Sequence, residues 1–225
     1  MDIKQLENEI IDIFLLGKEY EQITSELYKR FSYPKFPKLM KFETRHFKVK
    51  GYGYLFSMRT KGPFGMELLT LSFTPSEGGN VPFLLIDIMT VDKKRTVFVE
   101  YYDCTASGDS EHVALEEIKK KYDHLTEYAE KPHWYVGERT PYSLIKCGTN
   151  ADETELKDMI TASVSGYASE CSTAELDLAK NLPGLAAFRC RMIEEGNPSS
   201  AVLEKVFGKE GSEEFFVNCV MAGLD

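Results

Sequence analysis

Apolar and polar residues alternate through the middle of the chain, and this period of two predicts β-strands. Turn-forming residues interrupt the alternation, among them Gly51, Gly53 and the pair Gly78-Gly79. Because the connections are a few residues long, consecutive strands are expected to run antiparallel. The predicted meander has five strands, over residues 42–49, 52–60, 66–74, 82–91 and 96–104.

Apolar residues recur at helical spacing on both sides of this meander. The pattern predicts helices over 3–31, 108–130, 151–170, 173–181, 185–194, 197–208 and 211–222. Pro183-Gly184 is expected to stop the fourth of these, and a sixth strand is expected near 141–147. Segregated strands and helices indicate an α+β fold, a three-layer α/β/α sandwich with a central antiparallel sheet. We see no linker or repeat, so residues 1–225 are predicted to form a single domain.

The strand around Asp87 is the most unusual element of the pattern. It runs from Val81 to Val91, and Asp87 is the one charged residue in its interior. Neither face of the strand resembles a solvent face, so Asp87 is expected to be at least partly buried. Burying a carboxylate costs several kcal/mol, roughly, unless it is paired, hydrogen-bonded or protonated. Asp87 is therefore either a functional acid or a structural residue held by backbone amides.

The short hairpins predict which side chains lie beside Asp87. In an antiparallel hairpin, the residue numbers of every facing pair add up to the same total, which is determined by the centre of the turn. The turns place Thr70 opposite Asp87, Met58 opposite Thr70, and Glu100 opposite Asp87. If the two carboxyls face each other on a covered surface, one of them should hold a proton near neutral pH. Glu100 is then a candidate second acid. The alternative is that a bulge at the turn directs Glu100 to solvent.

Composition excludes several classes of function. The net charge of −9 argues against nucleic acid and anionic membrane as main partners. There is no apolar run long enough to span a membrane, and the acidic start does not resemble a signal peptide, so we expect a cytoplasmic protein, and a monomer. The five cysteines and four histidines lack metal-ligand spacing, so no metal is expected. His46 and Lys48 are two residues apart on a predicted strand and therefore lie on the same face, so His46 is expected at the surface.

Three segments resemble the ferredoxin-dependent bilin reductases, and within them the phycocyanobilin-forming enzymes. The segment from Glu43 to Ile88 is similar to the family's central sheet, and Pro132-His133-Trp134 to a segment before a later strand. The third segment, Val202 to Gly208 followed by an acidic and aromatic helix, resembles the family's C-terminal stretch. Red chlorophyll catabolite reductase shares this fold. The resemblance implies an α/β/α sandwich that binds a linear tetrapyrrole, or bilin, between the sheet and the C-terminal helices. It also implies electrons from reduced ferredoxin, with no metal or flavin bound.

The resemblance places the family's central catalytic aspartate at Asp87. Thr70 stands where the phycocyanobilin-forming enzymes have a catalytic histidine, and Met58 where they have a catalytic glutamate. Asn197 stands where the family often has a proton-donating aspartate, so it is expected to line the pocket without acting as an acid. These replacements make the phycocyanobilin-forming reaction itself a poor expectation for this chain.

Two functions remain open from the sequence. One is ferredoxin-dependent reduction of a bilin, and the other is binding of a tetrapyrrole, or another flat hydrophobic ligand, without reduction. A divergent domain with a protein partner alone is a third reading. An acidic ferredoxin, or another small electron carrier, would need a basic docking face. Candidate cations for that face are Lys35, Lys38 and Lys41, or Lys93, Lys94 and Arg95. Candidate cations for the propionates of a bilin are Arg189, Arg191 and Lys205. Each of these could equally be an ordinary surface charge.

Overall fold

The computed structural model describes most of the chain. The described residues are 1–34, 36–77, 80–104, 112–173, 178–197 and 199–224. Lys35, Gly78 and Gly79 therefore lie outside the described residues, as does the predicted helix start at 108–111.

Within these residues, eight strands form one antiparallel sheet. The strands are β1 (Tyr20–Gln22), β2 (Arg30–Tyr33), β3 (Met40–Val49), β4 (Gly53–Lys61), β5 (Glu67–Thr74), β6 (Phe83–Val91), β7 (Lys94–Tyr102) and β8 (Leu144–Thr149). Strands β3 to β8 follow one another across the sheet in chain order. Strands β1 and β2 both pair with the outer side of β3, at its two ends. The predicted meander is confirmed, and β6 lies near its centre.

Helices cover both faces of the sheet. They are α1 (Ile3–Leu15), α2 (Glu26–Lys29), α3 (Val113–Tyr122), α4 (Glu153–Thr173), α5 (Leu178–Glu194) and α6 (Ser200–Phe215). Side chains of α1, α3 and α4 form one core with one face of the strands, and include Leu6, Leu115 and Ile160. Side chains of α5, α6 and the turn that follows pack on the other face, and include Phe188, Leu203 and Phe215. The three-layer α/β/α sandwich is confirmed.

The prediction of one helix over 3–31 is wrong beyond Leu15. Apolar side chains of α1 face the core as expected, with Leu6, Ile10 and Phe14 buried. The helix ends because Gly17 adopts a left-handed conformation, with φ of 70°. The next residues then pair with the free side of β3, which supplies backbone partners that a continued helix would leave unmet.

Two further helix predictions are wrong in extent. Helix α3 ends at Tyr122, because the backbone of 126–128 hydrogen-bonds to β8 instead of continuing the helix. Helix α5 passes through Pro183, which was expected to stop it. Leu185, Phe188 and Met192 follow the proline and are buried against the sheet face, so packing outweighs the helix-breaking tendency of proline.

The surface position predicted for His46 is also wrong. Its side chain is buried on the same sheet face as Met58, and its ring contacts the edge of Phe56 at 6.1 Å between centroids. Burial lowers the pKa of His46 to about 4, so the imidazole is neutral at physiological pH. Residues before β2 cover this part of β3: the Thr24 hydroxyl accepts a hydrogen bond from the His46 amide at 2.8 Å.

Candidate functional site

A row of three side chains crosses the sheet face beneath α5 and α6. Met58 on β4 pairs with Thr70 on β5, and Thr70 pairs with Asp87 on β6. Directly opposed residues of antiparallel strands have Cβ atoms roughly 5 Å apart. The predicted order Met58, Thr70, Asp87 is therefore confirmed, and it follows from the short hairpins that connect these strands.

Asp87 is held by its neighbour in this row. The Thr70 hydroxyl donates a hydrogen bond of 2.5 Å to the Asp87 carboxylate. Burial raises the pKa of Asp87 to about 6, and the Thr70 hydrogen bond opposes part of this rise. A carboxyl with such a pKa can exchange a proton near neutral pH.

The pairing predicted for Glu100 is wrong by two residues. Phe98 lies opposite Asp87, and Glu100 lies opposite Leu85. The error comes from the turn, since Val91 pairs with Lys94 and only Asp92-Lys93 connect the two strands. A shift of two residues keeps a side chain on the same face. Glu100 is therefore a diagonal neighbour of Asp87 on the same face.

Glu100 is buried, contrary to the alternative in which a bulge directs it to solvent. The Tyr102 hydroxyl donates to its carboxylate at 2.8 Å, and the Arg139 guanidinium forms an ion pair with it. Arg139 also donates two hydrogen bonds to the two carboxylate oxygens of Glu130. Burial raises the pKa of Glu100 to about 7; the Arg139 charge opposes the rise, and the charge of Asp87 adds to it.

Asp87 lines two cavities that lie on different sides of it. The first is a small pocket of about 20 Å³ between the sheet and the C-terminal helices, with Met58, Leu203 and Phe215 among its walls. This volume has room for about one water molecule. The second is an open cleft of about 310 Å³ beside β7, covered by residues 128–139. Glu100 and Arg139 line the cleft and do not line the small pocket.

Asn197 lines the small pocket, where the resemblance placed it. Its amide group is engaged locally: the side-chain oxygen accepts from the Ser199 amide at 3.0 Å, and the nitrogen donates to the Met192 carbonyl at 3.1 Å. These bonds join the end of α5 to the start of α6. Asn197 therefore shapes the pocket wall, and its predicted contact with a ligand stays a prediction.

Sequence reasoning missed the three residues around Glu100, which are Tyr102, Glu130 and Arg139. Glu130 and Arg139 lie in an irregular segment, and no periodic pattern points to them. The cations proposed for propionates do not line the small pocket. Arg191 packs on the Trp134 ring at 4.4 Å and pairs with Glu138 and Glu195. Arg189 is buried, and the side chain of Lys205 is exposed.

Two findings concern other classes of site. Among the described residues, no three His, Cys, Asp or Glu side chains are grouped closely enough to hold a metal ion. In the same part of the chain, none of the helices combines the length and the apolar character needed to cross a bilayer.

The fold and the site define a class of protein: a three-layer α/β/α sandwich with a titratable carboxyl on the central strands, under two C-terminal helices. A solved structure of this architecture is phytochromobilin synthase from tomato in complex with biliverdin. It superposes with a TM-score of 0.79 at 14% sequence identity, over 98% of this chain and 83% of the tomato chain. The fold implied by the resemblance to bilin reductases is therefore confirmed.

Comparisons of the amino-acid sequence alone with known proteins find no relative of this chain. No family model matches the chain. No curated protein matches it either.

Proposed function

We propose that this protein reduces a linear tetrapyrrole with electrons from reduced ferredoxin, and that Asp87 is the proton donor. The observation that carries the proposal is a titratable carboxyl, with its pKa raised to about 6, at the centre of a fold that holds biliverdin in the tomato synthase. The resemblance of the sequence to bilin reductases supports the same assignment, since it places their catalytic aspartate at this residue.

Reduction of one double bond of a bilin consumes two electrons and two protons. In the proposed reaction ferredoxin supplies the electrons singly, and Asp87 transfers a proton to the ligand. Because the pKa of Asp87 is raised to about 6, roughly a tenth of the protein carries this proton at pH 7. A donor with a pKa near the working pH combines a useful protonated fraction with ready proton transfer.

The neighbours of Asp87 are proposed to bind the ligand and not to protonate it. Thr70 can exchange its hydrogen bond from Asp87 to a lactam oxygen, but a hydroxyl is too weak an acid to protonate the ring system. Met58 is buried beside it, and its thioether can pack on the face of a conjugated ring. With these two residues the site lacks the acids of the phycocyanobilin-forming reaction, so we propose a different regiochemistry.

A ligand of this size requires the small pocket to open. Pockets for comparable ligands have volumes of roughly 300–1,000 Å³, far above the present 20 Å³ or so. Side chains from α6 and the turn after it close the pocket, among them Leu203, Phe215 and Phe216. We propose that this C-terminal layer moves away from the sheet when the bilin enters.

A spectroscopic titration tests the proposal. Biliverdin is added to the protein and the visible absorption band is followed; reduced ferredoxin is then added without oxygen. We expect a shift of the band on binding and its bleaching or further shift on reduction. Asp87→Asn should still bind biliverdin but stall at a radical intermediate, with turnover slowed about 100-fold or more.

Asp12→Asn is the matched control, because Asp12 is an exposed aspartate on α1, on the opposite side of the sheet. Its rate should equal that of the wild type. An Asp87→Asn variant that reduces biliverdin at the wild-type rate would remove Asp87 from the mechanism. An unchanged spectrum on mixing would count against any tetrapyrrole function.

The second candidate is binding of a tetrapyrrole, or another flat hydrophobic ligand, without reduction. The observation that favours it is the replacement of two acid–base positions of the related enzymes by Thr70 and Met58, both engaged in the row. The same titration separates the candidates, because a pure binding protein would shift the biliverdin band but leave it unchanged under reduced ferredoxin.

A further inference from the structure

Asp87 forms a wall between two environments of different polarity. On one side lies the small, closed pocket, whose walls are largely apolar and include Phe83, Leu85 and Phe216. On the other side lies the open cleft, whose lining includes Glu100 and Arg139. A side chain in this position can release a proton into a dry site and receive one from a wet site.

Glu100 is placed to supply that proton. It occupies the position on β7 diagonal to Asp87, and such neighbours have Cβ atoms roughly 7 Å apart. Both carboxyls line the same cleft of about 310 Å³, which has ample room for a bridging water. The charge of Asp87 acts on Glu100 across this gap and contributes to the raised pKa of Glu100.

We propose that Glu100 returns a proton to Asp87 after each donation, and that the cleft is the path by which protons enter from solvent. This inference rests on the proposed reduction of a bilin. When Asp87 has given its proton to the reduced ligand, the O–H bond of protonated Glu100 breaks, and an O–H bond forms on Asp87 through a bridging water. Glu100 then takes a proton from water in the cleft. The electrons still come from reduced ferredoxin, so Glu100 exchanges protons alone.

The groups around Glu100 suit this role. Tyr102 and Arg139 both donate to the carboxylate, and Arg139 is itself fixed by two hydrogen bonds to Glu130. The Arg139 guanidinium carbon lies over the Tyr135 ring, 5.7 Å from the centroid of that ring. These contacts hold the carboxyl at one position and stabilise its charged form against the cost of burial, so both protonation states of Glu100 are accessible. Arg139 is therefore a positioning residue.

The remaining ionisable groups of the cleft are Tyr128, Lys131 and His133, which lie on the covering segment. All three side chains are exposed to solvent. Protons can thus reach the cleft from bulk water without passing through the apolar pocket. The small pocket, in contrast, is enclosed by side chains of α5, α6 and the sheet.

Single-turnover kinetics of Glu100→Gln test this proposal. The variant keeps the size of the side chain and an acceptor for Tyr102, but it cannot deliver a proton. With the reaction started at about pH 5, we expect the first protonation of bound biliverdin to occur within about twofold of the wild-type rate, since Asp87, with its pKa of about 6, is mostly protonated beforehand. The second protonation should slow at least tenfold, with accumulation of the radical and loss of the pH dependence near 7.

Two further variants separate proton supply from structural damage. Glu7→Gln is the matched control, because Glu7 is another buried glutamate paired with an arginine, Arg59, on the opposite side of the sheet. It should leave the radical lifetime unchanged. Glu100→Asp keeps an acid beside Arg139 and should restore at least part of the second step. A Glu100→Gln radical that decays at the wild-type rate would overturn the proposal.

A measurement without ligand distinguishes failure of this inference from failure of the proposed function. Infrared titration of the carboxyl bands reports the protonation of Glu100 directly. In Asp87→Asn the pKa of Glu100 should fall, because the neighbouring negative charge that raises it is gone. An unchanged Glu100 titration in this variant would overturn the coupling even if the wild type reduces biliverdin. A protein that shows the coupling but leaves biliverdin unreduced would overturn the proposed function and keep the proton exchange between the two carboxyls.

Discussion

Asp87 lowers the stability of the folded chain at neutral pH. Its side chain is largely buried, and burial raises its pKa from 3.8 to about 6. The folded protein therefore holds a proton at Asp87 across a pH range in which the unfolded chain has released it. Functional sites often carry groups that are unfavourable for stability. Thr70 offsets part of the cost, since its hydroxyl donates to the carboxylate.

This cost predicts the effect of Asp87→Asn on the free energy of unfolding. Wild-type stability should fall as pH rises from about 4 to 6, because the folded state binds the extra proton in that window. A shift of two units corresponds to about 3 kcal/mol, reduced to roughly 1–2 kcal/mol because the side chain opens onto the cleft. Urea unfolding between pH 4 and pH 8 should show the variant gaining this amount relative to the wild type.

Thr70→Val is a second variant whose free energy of unfolding can be measured over the same pH range. Removing the hydrogen bond that lowers the pKa of Asp87 should extend the loss of stability to higher pH. A difference in the free energy of unfolding between wild type and Asp87→Asn that is the same at every pH would show that Asp87 does not carry a raised pKa. Its proposed role as a proton donor would then lose its physical basis.

At the scale of elements, α6 is broken in the middle by Gly208. The residue has φ of 77° and ψ of 175°, a region of backbone space that is essentially restricted to glycine. The sequence pattern predicted two helices here, over 197–208 and 211–222, and the break agrees with that division. The bend allows Phe207 and Phe215 to stack, with ring centroids 5.7 Å apart. Both rings contribute to the layer that closes the small pocket.

Gly208→Ala should therefore destabilise the C-terminal layer. A Cβ at this position would meet no atom within 4 Å, so the effect comes from the backbone conformation and not from a clash. We expect a loss of about 1–3 kcal/mol in the free energy of unfolding. Urea denaturation measures this loss.

Gly137→Ala is the control for this substitution, because Gly137 also has open space around a Cβ but does not have a positive φ. It should change the free energy of unfolding by less than about 0.5 kcal/mol. Equal effects of the two substitutions would show that the conformation of Gly208 is not strained by a side chain.

At the scale of the whole molecule, exposed lysines gather at one end of the sheet. The strand registers bring the connection after β2, the β4–β5 turn and the β6–β7 turn to the same end. Its exposed lysines in the described residues are Lys38, Lys41, Lys61, Lys93 and Lys94. Arg95 is not part of this surface, because it is buried and paired with Glu153. In a chain with a net charge of −9, we propose this end as the docking face for the acidic electron donor.

Charge reversal at Lys93 tests the docking of the proposed electron donor. Lys93→Glu should raise the KM for reduced ferredoxin by about three- to tenfold at low ionic strength, and added salt should diminish the difference. Lys50→Glu is the matched control: Lys50 is exposed at the opposite end of the sheet, beside the β3–β4 turn, and the variant has the same net charge. Equal KM values for the two variants would show that this end does not contact the donor.

The position of Asp87 between Thr70 and β7 could be predicted because it depends on local features. Short turns connect each strand to the next, so the centre of each turn determines which residues of the two strands face each other. The turn between β6 and β7 is shorter than expected, and this moved Glu100 by two residues along the register, which keeps it on the same face. Met58, Thr70 and Asp87 were placed correctly because their turns have the expected centres.

The surroundings of Glu100 could not be predicted in this way. Arg139 and Glu130 reach β7 from an irregular segment, and its path depends on contacts with β8 and α5 that have no sequence period. Similarly, the segment 16–25 was predicted to continue the first helix, yet it contains β1, because the free side of β3 is available for backbone pairing. Local propensity is a weak guide where a distant element offers backbone partners or an apolar face.

The sequence by itself determined the antiparallel meander, the helical layers and the row Met58, Thr70, Asp87, since each follows from a local period or a short turn. The tertiary structure decided the rest of the site. It buried Glu100 against Arg139, closed the apolar pocket with α6, and left Asp87 between that pocket and a cleft open to water. These outcomes depend on which distant surfaces meet, because burial, charge pairing and cavity volume arise only when separate segments are packed together.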